Sequence, residues 1–313
     1  MKKSMYRHCE RSAAIQASWI ATACGLAMTI FYRVLGLIFL MVMSTAHAYH
    51  VTDDRGVQVS FDKPPQRIVS LLPSLTETVC ALGHCDRLVG VDRYSNFPDR
   101  VRQLPGVGGG LDPNIEAILA LRPDLVLMAT STQAGARLQA LGLKVMSLEP
   151  KTHADVKRVL ASMGQVLGVS NAWQVWQDIE TAMRAAEKTL PARLKTTRVY
   201  FEVNSAPYAA SEASFIGETL AWLGVKNIIP ANMGPFPLIN PEFVVRANPD
   251  VIMVGDVNFV GLAGRPGWAS LHAIANQRVC VFTPAQSDML VRPGPRMADG
   301  ARLMAECLLK VLP

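Results

Sequence analysis

Short, almost wholly apolar runs alternate along this chain with segments whose apolar residues recur at helical spacing. Arg67–Leu72, Arg87–Val91, Asp124–Met128 and Lys144–Leu148 read as buried strands, because none of them alternates apolar with polar positions. Helices are predicted between them. Ser74 and Glu77 have the spacing of a capping box, opening a helix that stops at Gly83. Asp112 followed by Pro113 predicts an N-cap and a helix to Leu121, and a third helix runs from Gln133 to Leu141 before Gly142. Strands alternating with helices of about 10 residues imply parallel β-α-β units.

The rhythm changes at Thr152. His153–Leu167 reads as one helix ended by Gly168, and Ser170 as the N-cap of a second that reaches Leu190 and is stopped by Pro191. Trp173, Trp176, Ile179, Met183, Ala186 and Leu190 mark one face of that second helix, which at about 1.5 Å per residue is roughly 30 Å long. Strand signals resume at Arg198–Val203, Asp250–Val254 and Arg278–Phe282, and Gly294–Leu312 reads as a closing helix. The predicted fold is therefore two α/β lobes, 49–150 and 192–313, with mainly parallel sheets. A helical connector, 151–191, joins them, its long rigid helix spanning roughly 171–190. The cleft is expected between the lobes, opening and closing only slightly.

Residues 1–48 stand apart. Arg33, the apolar run Val34–Met43 and Ala46-His47-Ala48 have the three regions of a secretory signal peptide cleaved after Ala48. Met28 would serve as an ordinary start for such a leader, making residues 1–27 dispensable; an uncleaved anchor is the rival reading. The leader also carries +4 of the formal charge of +6, through Lys2, Lys3, Arg7, Arg11 and Arg33 against Glu10, leaving +2 on the remainder and no electrostatic case for nucleic acid. Export changes the meaning of the cysteines. Cys80, Cys85, Cys280 and Cys307 form an even set in an oxidising compartment; local pairing, Cys80–Cys85 and Cys280–Cys307, is expected, although the set allows three pairings and free buried thiols are the alternative.

One acidic pattern occurs once per lobe. Asn114-Ile115-Glu116 leads to Pro123-Asp124, and Asn240-Pro241-Glu242 leads to Pro249-Asp250, each followed by a strand. A first-turn glutamate complements the helix dipole by about 0.3–1 kcal/mol, which accounts for either alone. The equal offset in both lobes fits a pair of acidic knobs docking on a two-fold symmetric partner with two basic sockets.

Catalytic chemistry has little support. His50, His84, His153 and His272 have no partner at helical metal-ligand spacing, and no nucleophile elbow, phosphate loop or dinucleotide fingerprint occurs. Gly106–Gly110 is expected to be a tight loop at the cleft edge rather than a phosphate cradle. Aromatics and guanidiniums instead gather after strands, where α/β lobes bind ligands: Asp92–Pro98, Ala206-Pro207-Tyr208, Gly234–Pro237 and Ser287–Arg296. Arg292 and Arg296, in a Pro/Gly-rich turn, are the stronger ligand candidates among them.

Taken together, Arg67–Glu77 with Leu82-Gly83, Leu88–Pro98, Glu116 through Asp124, Gly142–Val145, Glu242 through Asp250 and Pro266-Gly267-Trp268 resemble one family. It is the periplasmic substrate-binding proteins of ABC importers for iron complexes and cobalamin, whose lobes are joined by one rigid helix. Tyr94-Ser95 with Pro98, and Arg292 through Pro295-Arg296, are nearest the cobalamin binders. The resemblance implies a non-enzymatic receptor that carries a corrinoid, without a cofactor of its own, to a dimeric permease with its ATPase. It further implies that Glu116 and Glu242 dock on permease arginines and that Tyr94, Tyr208, Phe236, Asp288 and Arg292 line the cleft. Where cobalamin binders tend to place tryptophans, this chain has Gly108-Gly109-Gly110 and Ala129-Thr130-Ser131, so a ferric siderophore or haem is the alternative cargo. The expected protein is a periplasmic monomer with no metal site; a chelatase or other two-lobed metalloenzyme is the rival from another class, and a membrane-anchored sensor a third.

Overall fold

Two separate sheets, each with a parallel core, carry the described chain. The structure, a computed structural model, describes residues 48–204, 207–255 and 261–312. The readings of residues 1–47, namely the leader, the start at Met28 and the anchor, lie outside the described residues; among those described, no helix is long and apolar enough to cross a membrane.

An antiparallel hairpin opens the fold, β1 (Tyr49–Thr52) with β2 (Gln58–Phe61), which the sequence reading missed. The first lobe's sheet has the order β4-β3-β5-β6, from β3 (Ile68–Ser70), β4 (Leu88–Val91), β5 (Leu125–Met128) and β6 (Val145–Ser147), all parallel. Helices α1 (Pro73–Ala81), α2 (Ile115–Ala120) and α3 (Gly135–Ala140) connect these strands. Successive residues of a strand point to opposite faces, so Ile68, Leu125, Leu127 and Met146 join one core while Val69, Val126, Met128 and Val145 join another with Ile118 and Leu138. The strands are apolar apart from Ser70 and Ser147, which end β3 and β6, because both faces are covered.

The connector is α4 (His153–Leu167) and α5 (Ala172–Thr189). Thr152 and Asp155 form a reciprocal capping box on α4, and Gly168 closes it in the left-handed region at φ 70°. Helix α5 is capped at Asn171 rather than Ser170. Ile179, Met183 and Ala186 are buried in the same core as the first lobe's Ile68 and the second lobe's Val199 and Phe201, so the helix is a packed strut between the sheets. Trp173, predicted on that face, is exposed and lies beside the Lys157 ammonium.

The second lobe's sheet has the order β11-β10-β7-β8 with β9 also on β7, from β7 (Arg198–Asn204), β8 (Tyr208–Ala209), β9 (Lys226–Asn227), β10 (Val251–Gly255) and β11 (Val279–Phe282). Only β8 runs antiparallel to its neighbour. Helices α6 (Phe215–Trp222), α7 (Pro241–Ala247), α8 (His272–Ala275), α9 (Pro284–Val291) and α10 (Met297–Val311) complete it. Both disulfides are the local pairs, Cys80–Cys85 and Cys280–Cys307, the second tying β11 to α10.

Two further predicted caps are corrected. Pro73 occupies the first turn of α1, so Leu72 is the N-cap without a side-chain bond, and Ser74 lies inside the helix. The Asp112 cap gives way to Asn114, whose side chain accepts from Ala117 N. Asp112 pairs with Arg93 instead, at 2.5 Å.

Candidate functional site

Loops from the carboxyl ends of both sheets meet across the lobe boundary. The first follows β4. Asp92 accepts from Tyr94 N at 3.0 Å and from Ser95 Oγ at 2.5 Å, and Ser95 Oγ lies 2.8 Å from Thr76 Oγ1 on α1. Burial pushes the Asp92 carboxyl up, against those hydrogen bonds and Arg292, which pull it down. A cis Phe97–Pro98 peptide and an Arg102 bond to Asn96 O at 2.9 Å complete the loop. On this pinned loop Tyr94 is 60% exposed and Phe97 42%.

The second segment is α9 and the turn after it. Thr283 and Gln286 form a capping box that starts α9, a signal the sequence reading passed over by treating 287–296 as one loop. Arg292 is 9% exposed. It crosses to the first lobe and donates to Glu77 Oε1 at 3.2 Å, Asn96 Oδ1 at 2.7 Å and Tyr94 O at 2.9 Å, while pairing with Asp288 at 3.0 Å. Arg296 grips Glu77 with two bonds, 2.9 and 2.6 Å, and lies 4.1 Å over the Phe97 ring. Glu77 is 4% exposed. Its predicted capping role is overturned: the carboxylate is the first lobe's receptor for two guanidiniums of the second. Asn96 Nδ2 also donates to Asp288 Oδ2 at 2.7 Å.

The structure thus divides the predicted site residues into a floor and a rim. Arg292, Arg296 and Asp288 belong to the floor. Beside Asp288, a cavity of about 190 Å³ is lined by Phe201, Glu202, Val203, Gly255, Ser287 and Val291 at the ends of β7 and β10. Glu202 is fully covered and held by Arg265 through bonds of 2.6 and 2.9 Å, with Tyr200 Oη donating at 3.1 Å. Tyr94, Tyr208 and Phe236, the candidate rim, are all exposed. Sequence reasoning did not single out three further exposed apolar side chains on nearby loops of the chain, Leu111, Met233 and Leu238. Leu238 bridges Tyr208 across β8, and Leu111 follows the glycine loop. That loop is tight, as expected: at Gly108, φ 91°, a Cβ would come within 2.6 Å of Asp112 O, and a Cβ on Gly110 within 3.0 Å of Leu71 O at the end of β3.

Glu116 and Glu242 are each exposed in the first turn of their helix, and no ion pair among the described residues engages either. No cluster of metal-ligating side chains occurs among the described residues. A larger cavity, about 610 Å³, lies at edge strand β11 with uncharged walls that include none of the predicted residues.

Residues 68–285 match the model of the periplasmic binding protein family. The chain belongs to that family. Its members are substrate-binding proteins and not enzymes. An ABC transporter substrate-binding lipoprotein of Bacillus subtilis is 29% identical over 273 residues, covering 82% of this chain and 84% of its own length. The crystal structure of a periplasmic vitamin B12-binding protein of Vibrio cholerae superposes with TM-score 0.65 at 25% identity, covering 79% of this chain and 98% of that one. A periplasmic haem-binding protein of Pseudomonas aeruginosa gives 0.67 at 28% identity, covering 77% and 91%. As a periplasmic binding protein of an ABC transporter, the chain works outside the cytoplasmic membrane with a membrane permease and its ATPase.

Proposed function

We propose that this receptor captures cobalamin or a related corrinoid between its lobes and delivers it to the permease. The observation that carries this reading is the pairing of the cleft's cations. Arg93 is taken by Asp112, Arg265 by Glu202, and Arg292 and Arg296 by Glu77. A haem brings two carboxylates and a ferric catecholate several negative charges, which call for uncommitted guanidiniums or ammoniums. A corrinoid offers a broad apolar disc edged with neutral amides. The exposed rim of Tyr94, Phe97, Leu111, Tyr208, Met233, Phe236 and Leu238 suits such a disc, and the likeness to a vitamin B12-binding protein supports the same cargo.

In this reading the loaded receptor closes slightly and docks one lobe on each permease subunit through Glu116 and Glu242, and the ligand is released into the channel. The chain acts as a monomer, freed from its leader after Ala48. Haem or a ferric siderophore is the second reading, favoured by the exposed phenols of Tyr94 and Tyr208, which are hard oxygen donors suited to ferric iron, and by the likeness to a haem-binding protein. Calorimetric titration of residues 49–313 with cyanocobalamin, haemin and a ferric hydroxamate decides between them. Saturable 1:1 binding of cyanocobalamin, at least tenfold tighter than either rival, is expected, a margin of about 1.4 kcal/mol; the reverse order would replace the corrinoid with the rival.

A further inference from the structure

The two candidate docking glutamates stand on very short helices, α2 of 6 residues and α7 of 7. A helix of that length cannot hold its own direction. The same device aims both. In the first lobe, Asp124 accepts from Arg67 N at 2.9 Å and Gln66 N at 2.8 Å, and the Arg67 guanidinium donates to Leu121 O at 2.6 Å and Arg122 O at 3.2 Å. In the second, Asp250 accepts from Arg198 N at 2.8 Å, and the Arg198 guanidinium donates to Ala247 O at 2.5 Å and Asn248 O at 3.3 Å. The backbone bonds correspond too, Asp124 N to Arg67 O at 2.9 Å and Asp250 N to Arg198 O at 2.8 Å. Each helix ends on a left-handed residue at the same offset from its glutamate, Arg122 at φ 47° and Asn248 at φ 45°. Each starts on an asparagine cap, Asn114 or Asn240.

Each arginine therefore ties the last-turn carbonyls of a glutamate helix to the start of the lobe's first long-range strand, β3 or β7, which is central in its sheet. Both straps lie on exposed surface, where such contacts contribute little to folding stability. Stability does not account for their repetition bond for bond; a fixed separation and bearing of two acidic groups does. We infer that Arg67 and Arg198, with Asp124 and Asp250, are positioning residues that hold Glu116 and Glu242 at the spacing of two sockets on the permease. This rests on the docking reading above.

The test measures association of the leader-processed chain with its permease–ATPase complex in nanodiscs, with and without cyanocobalamin. The variants are Arg67→Met/Arg198→Met, each single change, and Glu116→Arg/Glu242→Arg. The arginine double variant is expected to bind roughly tenfold more weakly and each single variant roughly threefold, as displaced anchor groups do, with melting temperature moved by less than about 4 °C and cyanocobalamin affinity unchanged. A merely structural role would move the melting temperature and leave association alone. Should the double variant fail to accumulate, Arg67→Gln and Arg198→Gln carry the threefold expectation. Wild-type association of the arginine variants, beside loss in the glutamate pair, overturns the inference alone. Wild-type association of the glutamate pair overturns the docking reading and the inference with it.

Discussion

Replacing Glu77 by glutamine should cost more than any other single polar change in this protein. The substitution keeps the side chain's size and one carbonyl oxygen but removes the charge that two guanidiniums share. Arg292 and Arg296 have side-chain exposures of only 9% and 12%, so neither can recover its hydration in place. Removing one partner of such a buried ion cluster costs about 3–5 kcal/mol; here Arg296 loses its carboxylate, while Arg292 keeps only Asp288 at 3.0 Å. For a chain of this size each kcal/mol lowers the melting temperature by about 2–4 °C, so the expected drop is roughly 6–20 °C. Calorimetric melting of the ligand-free protein measures it. Arg292 also holds Tyr94 O and Asn96, so loosening the floor should reach the rim: cyanocobalamin affinity is expected to fall roughly tenfold, about 1.4 kcal/mol. A triple change to Glu77→Leu, Arg292→Met and Arg296→Leu should destabilise less than Glu77→Gln, since the one charge it leaves without its ion-pair partner, Asp288, is 38% exposed and keeps the Asn96 bond. A Glu77→Gln variant within about 1 kcal/mol of wild type would refute the reasoning, placing the cluster among solvent-screened pairs of small worth.

Three further outcomes follow from the packing. His153 contacts Phe215 and Trp222, bonds Thr219 Oγ1 at 2.9 Å, and is pushed down to about 4 by burial. Below about pH 6.5 the unfolded chain takes a proton that the folded one refuses, so stability is full above that pH and falls toward pH 4; urea midpoints should show a loss of about 2 kcal/mol between pH 7 and 5 that His153→Gln lacks. Opening Cys280–Cys307, which spans a sequence separation of 27, should cost about 3.5 kcal/mol by the chain-entropy relation, and Cys80–Cys85, separation 5, about 2 kcal/mol, measured on the double-alanine variants in denaturant. The double change Glu116→Arg and Glu242→Arg should abolish uptake while cyanocobalamin affinity in solution stays within about twofold; parallel loss of both would remove the docking role.

The parts of the fold legible in the sequence were those with strong local signals. The apolar runs of β3, β5, β7 and β10 show because both sheet faces are buried, α4 shows through the Gly168 that ends it, and α5 through its apolar stripe. The hairpin β1–β2 and the two-residue strands β8 and β9 are too short for any period to register. Glu77 was misread for an instructive reason. Ser74 and Glu77 satisfy the capping-box spacing, but Pro73 is the residue that belongs in the first turn, which moves the cap to Leu72 and releases Glu77 for a partner 215 positions away. The repeated glutamates were legible as a repeat; the straps that aim them were not, because each arginine is 57 or 52 positions from its aspartate. The rim aromatics were legible by their place after strands, whereas the commitment of Arg292 and Arg296 to the opposite lobe depends on how the lobes meet.

The most direct test of the corrinoid reading is a crystal structure of the protein grown with cyanocobalamin. One corrin ring is expected to lie between Tyr94 and Phe97 on one side and Phe236 and Leu238 on the other, with Glu77 still gripped by both arginines. A ring bound elsewhere on the surface, or an empty cleft at saturating ligand, would contradict it.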